Sequence, residues 1–206
     1  LAEVDSQSGS LSACWDLPFT NGAQVELRYR SAGANRLCVT MAYRGVAGLP
    51  DLDAFGLSLR LPADYHVFRY YGLGPRENYA DRRHGAALEL YATTAGENLT
   101  PYLFPQECGN REGVRFCEVL NADGHGLRIE SADAPLSVSA LHYSVDELRE
   151  ALHPDELPTP PCYTYLNIAS RRMGVGGDNS WGAKVHPEYH IPSDGTLTLE
   201  FCITVL

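Results

Sequence analysis

No run of about eighteen apolar residues occurs anywhere in the 206 residues, so the sequence offers no candidate membrane-spanning helix. Basic residues are few and scattered. Sixteen lysines and arginines stand against twenty-six aspartates and glutamates, a net charge of −10. Without a basic stripe, nucleic acid and anionic membrane are not the partners this chain is built for. None of the cysteines at 14, 38, 108, 117, 162 and 202 forms a C-x-x-C pair, so their spacing carries no zinc-site signal. A Gly-x-Ser-x-Gly elbow and a Ser/His/Asp order are both missing. Gly72-Leu73-Gly74 runs into Pro75 rather than into a helix, which removes the dinucleotide reading. There is no signal peptide, internal repeat or low-complexity tract. The chain starts at Leu1 without a methionine, which points to a piece of something longer.

In a chain of this size disulfides are not needed for stability. Cys38 and Cys202 fall at alternating strand positions and read as small buried or half-buried thiols, in keeping with a reducing, cytoplasmic setting. Asn98-Leu99-Thr100 matches a glycosylation sequon, a match common by chance. His186 and His190 are four apart, but Pro187 removes the helical face that would align them on a metal. His142 precedes a helix cap and reads as structural.

What the sequence has in quantity is period-two alternation, the mark of strands with one wet face. Val25, Leu27 and Tyr29 alternate with polar residues. So do Leu37, Val39, Met41 and Tyr43, then Phe55, Leu57, Leu59 and Leu61, and finally Leu197, Leu199, Phe201, Ile203 and Val205. Further strands are expected at 11–16, 66–71, 87–93, 114–120, 127–131, 136–140 and 163–168. Residues 1–10 read as a lead-in. Ser144 and Glu147 form a capping box, which opens one helix running through Leu148 and Leu152 to Pro154. About ten short alternating strands and one helix predict a single antiparallel β-sandwich spanning residues 1–206.

The stretch Gly174-Val175-Gly176-Gly177-Asp178-Asn179-Ser180-Trp181-Gly182 breaks this pattern. Glycine at that density makes a tight, shaped loop. From composition alone, its tryptophan reads as a residue folded back to cap the core. The alternative is a flat apolar platform with one N–H donor, suited to the face of a sugar ring.

Three blocks favour the alternative. They are Gly72-Leu73-Gly74-Pro75-Arg76-Glu77-Asn78-Tyr79-Ala80-Asp81-Arg82, Thr100-Pro101-Tyr102-Leu103-Phe104-Pro105-Gln106-Glu107, and the Gly174–Gly182 loop. In this order, with His142-Tyr143-Ser144 before the helix, residues 65–206 resemble the C-terminal domain of the large bacterial β-galactosidases of glycoside hydrolase family 2. In some members of that family the domain is a separate small chain. The resemblance implies a β-supersandwich of the galactose mutarotase-like type that is not itself catalytic. It implies that the acid/base and nucleophile glutamates and a magnesium site lie on a companion TIM barrel, and that the full enzyme is a homo-oligomer acting on a galactoside. It also implies that Trp181 is lent to the edge of the galactose pocket. The chain departs from the family pattern at Ala169, where an acidic residue is usual, and at Arg172, where Gln or His is often found. The early part of the family's domain is expected to be absent.

Glu77 and Glu107 are the tempting carboxylates for glycoside hydrolysis, which with retention needs two about 5–5.5 Å apart. A carboxylate amid Gly, Pro and Asn more often ties down backbone N–H groups, and Arg76, Arg82 and Arg111 stand near enough in sequence to pair with them. The expected role is therefore structural. Two other functions are compatible with the fold: an aldose mutarotase or epimerase-like enzyme, and a plain carbohydrate-binding module.

Overall fold

Strands that alternate apolar and polar residues can bury only one face, and this chain lays those faces against one another in two antiparallel sheets. A computed structural model describes residues 9–206 in full and residues 3–7 as backbone. The strands are β1 (Glu3–Gln7), β2 (Ser10–Asp16), β3 (Gln24–Ser31), β4 (Arg36–Arg44), β5 (Ala54–Pro62), β6 (Val67–Gly74), β7 (Ala87–Thr94), β8 (Arg111–Val114), β9 (Phe116–Leu120), β10 (Gly126–Ser131), β11 (Leu136–Leu141), β12 (Tyr163–Arg172) and β13 (Thr196–Val205). One α-helix, α1 (Val145–Glu150), lies between β11 and β12. The larger sheet runs β1-β2-β3-β4-β13-β10-β9-β6-β7 and the smaller β5-β12-β11-β8.

The core fills the space between the sheets. Val39, Met41, Tyr43, Phe68, Tyr70, Ile129, Leu199 and Phe201 face inward from the larger sheet. Phe55, Val138, Leu166 and Ile168 meet them from the smaller one. A second, smaller cluster of Cys108, Leu141, Leu148 and Leu157 seats α1 on the outer face of the smaller sheet. The two sheets differ in width, so β3 is less covered than β4. Val25, Leu27 and Tyr29 are only half-buried against the core.

Several expectations are corrected. The strands number thirteen among the described residues rather than about ten. The supposed lead-in supplies β1, which pairs along its length with β2. The single strand expected over 114–120 divides at Arg115, so that β8 joins the smaller sheet and β9 the larger. The capping box forms as expected, Ser144 Oγ accepting from the Glu147 N–H and Glu147 accepting from the Ser144 N–H. Yet α1 stops at Glu150 and leaves Leu152 exposed. Cys38 and Cys202 are not thiols. They sit opposite each other on β4 and β13 and form a disulfide, with Cα atoms 4.0 Å apart. The inference of a reducing setting loses that support. Cys14, Cys108, Cys117 and Cys162 are free. Among the described residues, no helix is long and apolar enough to cross a membrane.

Candidate functional site

Glu77 leaves β6 on an irregular segment, and its carboxylate is filled by four donors. Arg82 Nη2 reaches Oε1 at 2.6 Å and the Tyr102 hydroxyl reaches the same oxygen at 2.5 Å. The Thr100 hydroxyl and the Gly109 N–H reach Oε2 at 2.7 and 2.8 Å. Burial alone would raise its pKa, but the hydrogen bonds from Tyr102, Gly109, Thr100 and Arg82 together carry it below the usual carboxylate range. A carboxylate so held fastens the 72–82 block to the 100–107 block and has no oxygen free to attack or protonate a sugar. Asn78 repeats the device nearby. Its side-chain N–H₂ donates to the Leu73 and Arg76 carbonyls, and its oxygen accepts from the Glu112 N–H.

The glycine loop is tied to the same region by Asp81. One carboxylate oxygen accepts the N–H groups of Val175 and Gly176 at 2.8 and 2.9 Å. Beside it, a Cβ on Gly174 would lie 2.7 Å from that oxygen, and a Cβ on Gly177 would lie 2.3 Å from the Ala183 carbonyl oxygen. Both positions therefore exclude a side chain by close approach. The Met173 N–H bonds to the Asp53 carbonyl and the Gly174 N–H to the Tyr189 carbonyl. Beyond this base the Asp178 carboxylate pairs with the His186 ring at 2.8 Å. The Asn179 side-chain oxygen accepts the backbone N–H of Trp181 at 2.8 Å, and Trp181 is 92% exposed. The reading of Trp181 as a cap folded onto the core is set aside by that exposure.

Glu107 pairs with Arg172, a buried guanidinium at the end of β12. The pair sits in a cleft of about 400 Å³ on the outer face of β5 and β12, with Asp53, Ser58 and Asn167. Ala169, on the same strand, is buried against Gly56. Glu107, like Glu77, is thus engaged in holding segments together.

The histidines take structural positions. His142 Nδ1 lies 3.0 Å from the Tyr163 carbonyl. His186 and His190 do not face a common point; each pairs with its own aspartate, His186 with Asp178 and His190 with Asp51. Among the described residues no three His, Cys, Asp or Glu side chains are gathered for a metal. Sequence reading missed Asp81 and Asp51. Asp81 stood within a quoted block, but its partners lie 94 and 95 residues away, a distance no local pattern spans.

Comparison with known proteins shows the family. The family model described as the β-galactosidase small chain matches residues 3–203. The match therefore extends well before residue 65 and takes in the segment read as an unplaced lead-in. A β-galactosidase of Halalkalibacterium halodurans is 41% identical over 206 residues, covering 98% of this chain and 20% of that protein. BgaC, a β-galactosidase of Bifidobacterium adolescentis, is 42% identical over 189 residues, covering 90% of this chain and 18% of that protein. The β-galactosidase small subunit of Latilactobacillus sakei is 36% identical over 190 residues, covering 87% of this chain and 59% of that subunit. The chain spans about a fifth of the length of the first two of these β-galactosidases. Among solved structures, an Escherichia coli K12 protein assigned as an aldose 1-epimerase superposes with a TM-score of 0.50 at 14% identity. It covers 99% of this chain and 68% of its own. That likeness concerns the mutarotase-like fold alone.

Proposed function

This chain belongs to the β-galactosidase small-chain family, and on that premise we propose that it is the non-catalytic C-terminal domain of a β-galactosidase, one sandwich over residues 1–206. In this reading it completes a galactoside site whose reacting carboxylates and magnesium belong to a companion TIM barrel. The observation that carries the proposal is Trp181. A large indole is held out in solvent by a loop whose base is fastened at Asp81, Asp53 and Tyr189. A side chain so exposed adds little to the core. On a built platform it offers an apolar face to the C–H side of a sugar. Leu103 and Phe104 are also exposed, on the segment joined to β12 through Glu107 and Arg172. They supply apolar contact for the barrel. By the same reading the complete enzyme is a cytoplasmic homo-oligomer that takes a galactoside such as lactose.

One wall of a pocket binds little by itself. The purified chain is expected to show no turnover of a chromogenic β-galactoside, and to raise turnover when combined with the barrel part of the enzyme. Hydrolysis by the chain alone that survives repurification would overturn the assignment. Acceleration of galactose mutarotation, followed by polarimetry, would move it to the epimerase reading.

A further inference from the structure

Arg111, the first residue of β8, is 4% exposed. Its Nε donates to the Tyr70 hydroxyl at 2.7 Å and its Nη1 to the Asn110 carbonyl at 3.1 Å. Neither bond uses Nη2, and no carboxylate among the described residues forms an ion pair with the guanidinium. An arginine keeps its charge when buried, and a buried charge ordinarily has a counter-ion because desolvation is otherwise uncompensated.

Arg111 lines a cleft of about 610 Å³ together with Arg76, Glu77 and Arg82. A neighbouring hollow of about 450 Å³ shares Arg76, Glu77 and Arg82 and adds Arg83 and His84. Glu77 is used up by Arg82 and three further donors. The other carboxylate at the cleft, Glu97, accepts from the Thr93 hydroxyl at 3.4 Å. Among the described residues, Arg76 and Arg111 in the cleft and Arg83 in the neighbouring hollow have no acidic partner. In a chain of net charge −10, this cleft sets Arg76, Arg82 and Arg111 against Glu77 and Glu97, an excess of one positive side chain.

We propose that this cleft binds a phosphate group, either free or carried on a sugar. A phosphate presents several oxygens at tetrahedral angles, enough to meet both Arg76 and Arg111 across the cleft, where a carboxylate has two in one plane. The space is that of a small-molecule site rather than of a bare ion, which favours a phosphorylated sugar over inorganic phosphate. Trp181 does not line this cleft, and the proposal does not depend on the galactoside reading.

The test is calorimetric titration of the complete protein, at low salt, with glucose 6-phosphate, inorganic phosphate and glucose. Glucose 6-phosphate is expected to saturate a site and glucose to show none there. Inorganic phosphate binding as tightly as the sugar phosphate would identify the free anion as the ligand. The double variant Arg76→Ala/Arg83→Ala, both changes at exposed positions, should weaken binding about tenfold and leave the melting temperature unchanged. Arg111→Gln should abolish binding. If that variant fails to fold, the surface double variant decides. The proposal is overturned if neither phosphate probe saturates below about 10 mM, if glucose binds as well as its phosphate, or if the double variant binds like the parent.

Discussion

Asp51 and His190 are joined at 2.6 Å, Oδ2 to Nδ1, while the other ring nitrogen of His190 faces the Val185 carbonyl at 3.1 Å. A neutral imidazole has one N–H to offer and here confronts two acceptors. The charged form satisfies both. Its pKa is accordingly raised, first by the hydrogen bond to Asp51 and then by that to Val185. This clasp joins the segment before β5 to the segment that follows the glycine loop. Because the folded pKa lies above the ordinary value, the clasp contributes in full below about pH 6.5 and is lost as pH rises through the folded value. An NMR titration of the His190 ring should give a midpoint above 6.5, and Asp51→Asn should bring it down. A midpoint at the ordinary value in the parent protein would mean that the contact is not formed in solution.

Glu77→Gln should destabilise the fold by about 2–3 kcal/mol at neutral pH, the scale of hydrogen bonds to a charged group. Two of the four donors would then meet an amide N–H₂. The depressed pKa adds a signature. The stability due to Glu77 is present above about pH 4.3 and disappears as pH falls through the folded value. Denaturant melts of parent and variant should therefore converge in acid. A constant gap between them down to pH 2 would rule out ionised Glu77 as the tie.

Trp181→Ala, made in the full-length enzyme, should raise KM more than it lowers kcat, because stacking on the sugar is felt in the ground state as well as in the transition state. A hot-spot loss of about 2 kcal/mol corresponds to roughly thirtyfold. Steady-state kinetics on a galactoside decides, and an unchanged KM would remove Trp181 from the site.

Phe201 is fully buried on β13 between the sheets. Replacement by alanine should cost about 3–5 kcal/mol, measurable by chemical denaturation. A loss below about 1 kcal/mol would place the side chain outside the core.

Local pattern carried the strands well and their pairing hardly at all. The alternation in Leu37–Tyr43 and Leu197–Val205 marks the inward faces of β4 and β13, although the outer ends, Leu37 and Val205, fray into solvent. The capping box marks the start of α1, because its two hydrogen bonds are made within four residues. The Cys38–Cys202 disulfide was not legible. It depends on β13 lying beside β4 in one register, a contact 164 residues apart. The same holds for the candidate site. The glycine run announces the Trp181 loop. What holds that loop comes from Asp81 and Asp53, placed by the larger fold. The setting of Glu77 among Gly, Pro and Asn suggested a tie to backbone N–H groups; in the fold one of its four donors is a backbone N–H, that of Gly109, and the others are the side chains of Arg82, Thr100 and Tyr102.

The position of β13 also bears on how the chain is made. It lies in the middle of the larger sheet, between β4 and β10. As the polypeptide emerges from the ribosome, β1–β4 on one side and β6, β7, β9 and β10 on the other have no shared strand until residues 196–205 are available. Until then each half presents an open edge, the kind of surface that pairs with other chains. Consolidation waits on contacts of long sequence separation, which form slowly. Nascent chains arrested before β13 should therefore be the species that chaperones hold.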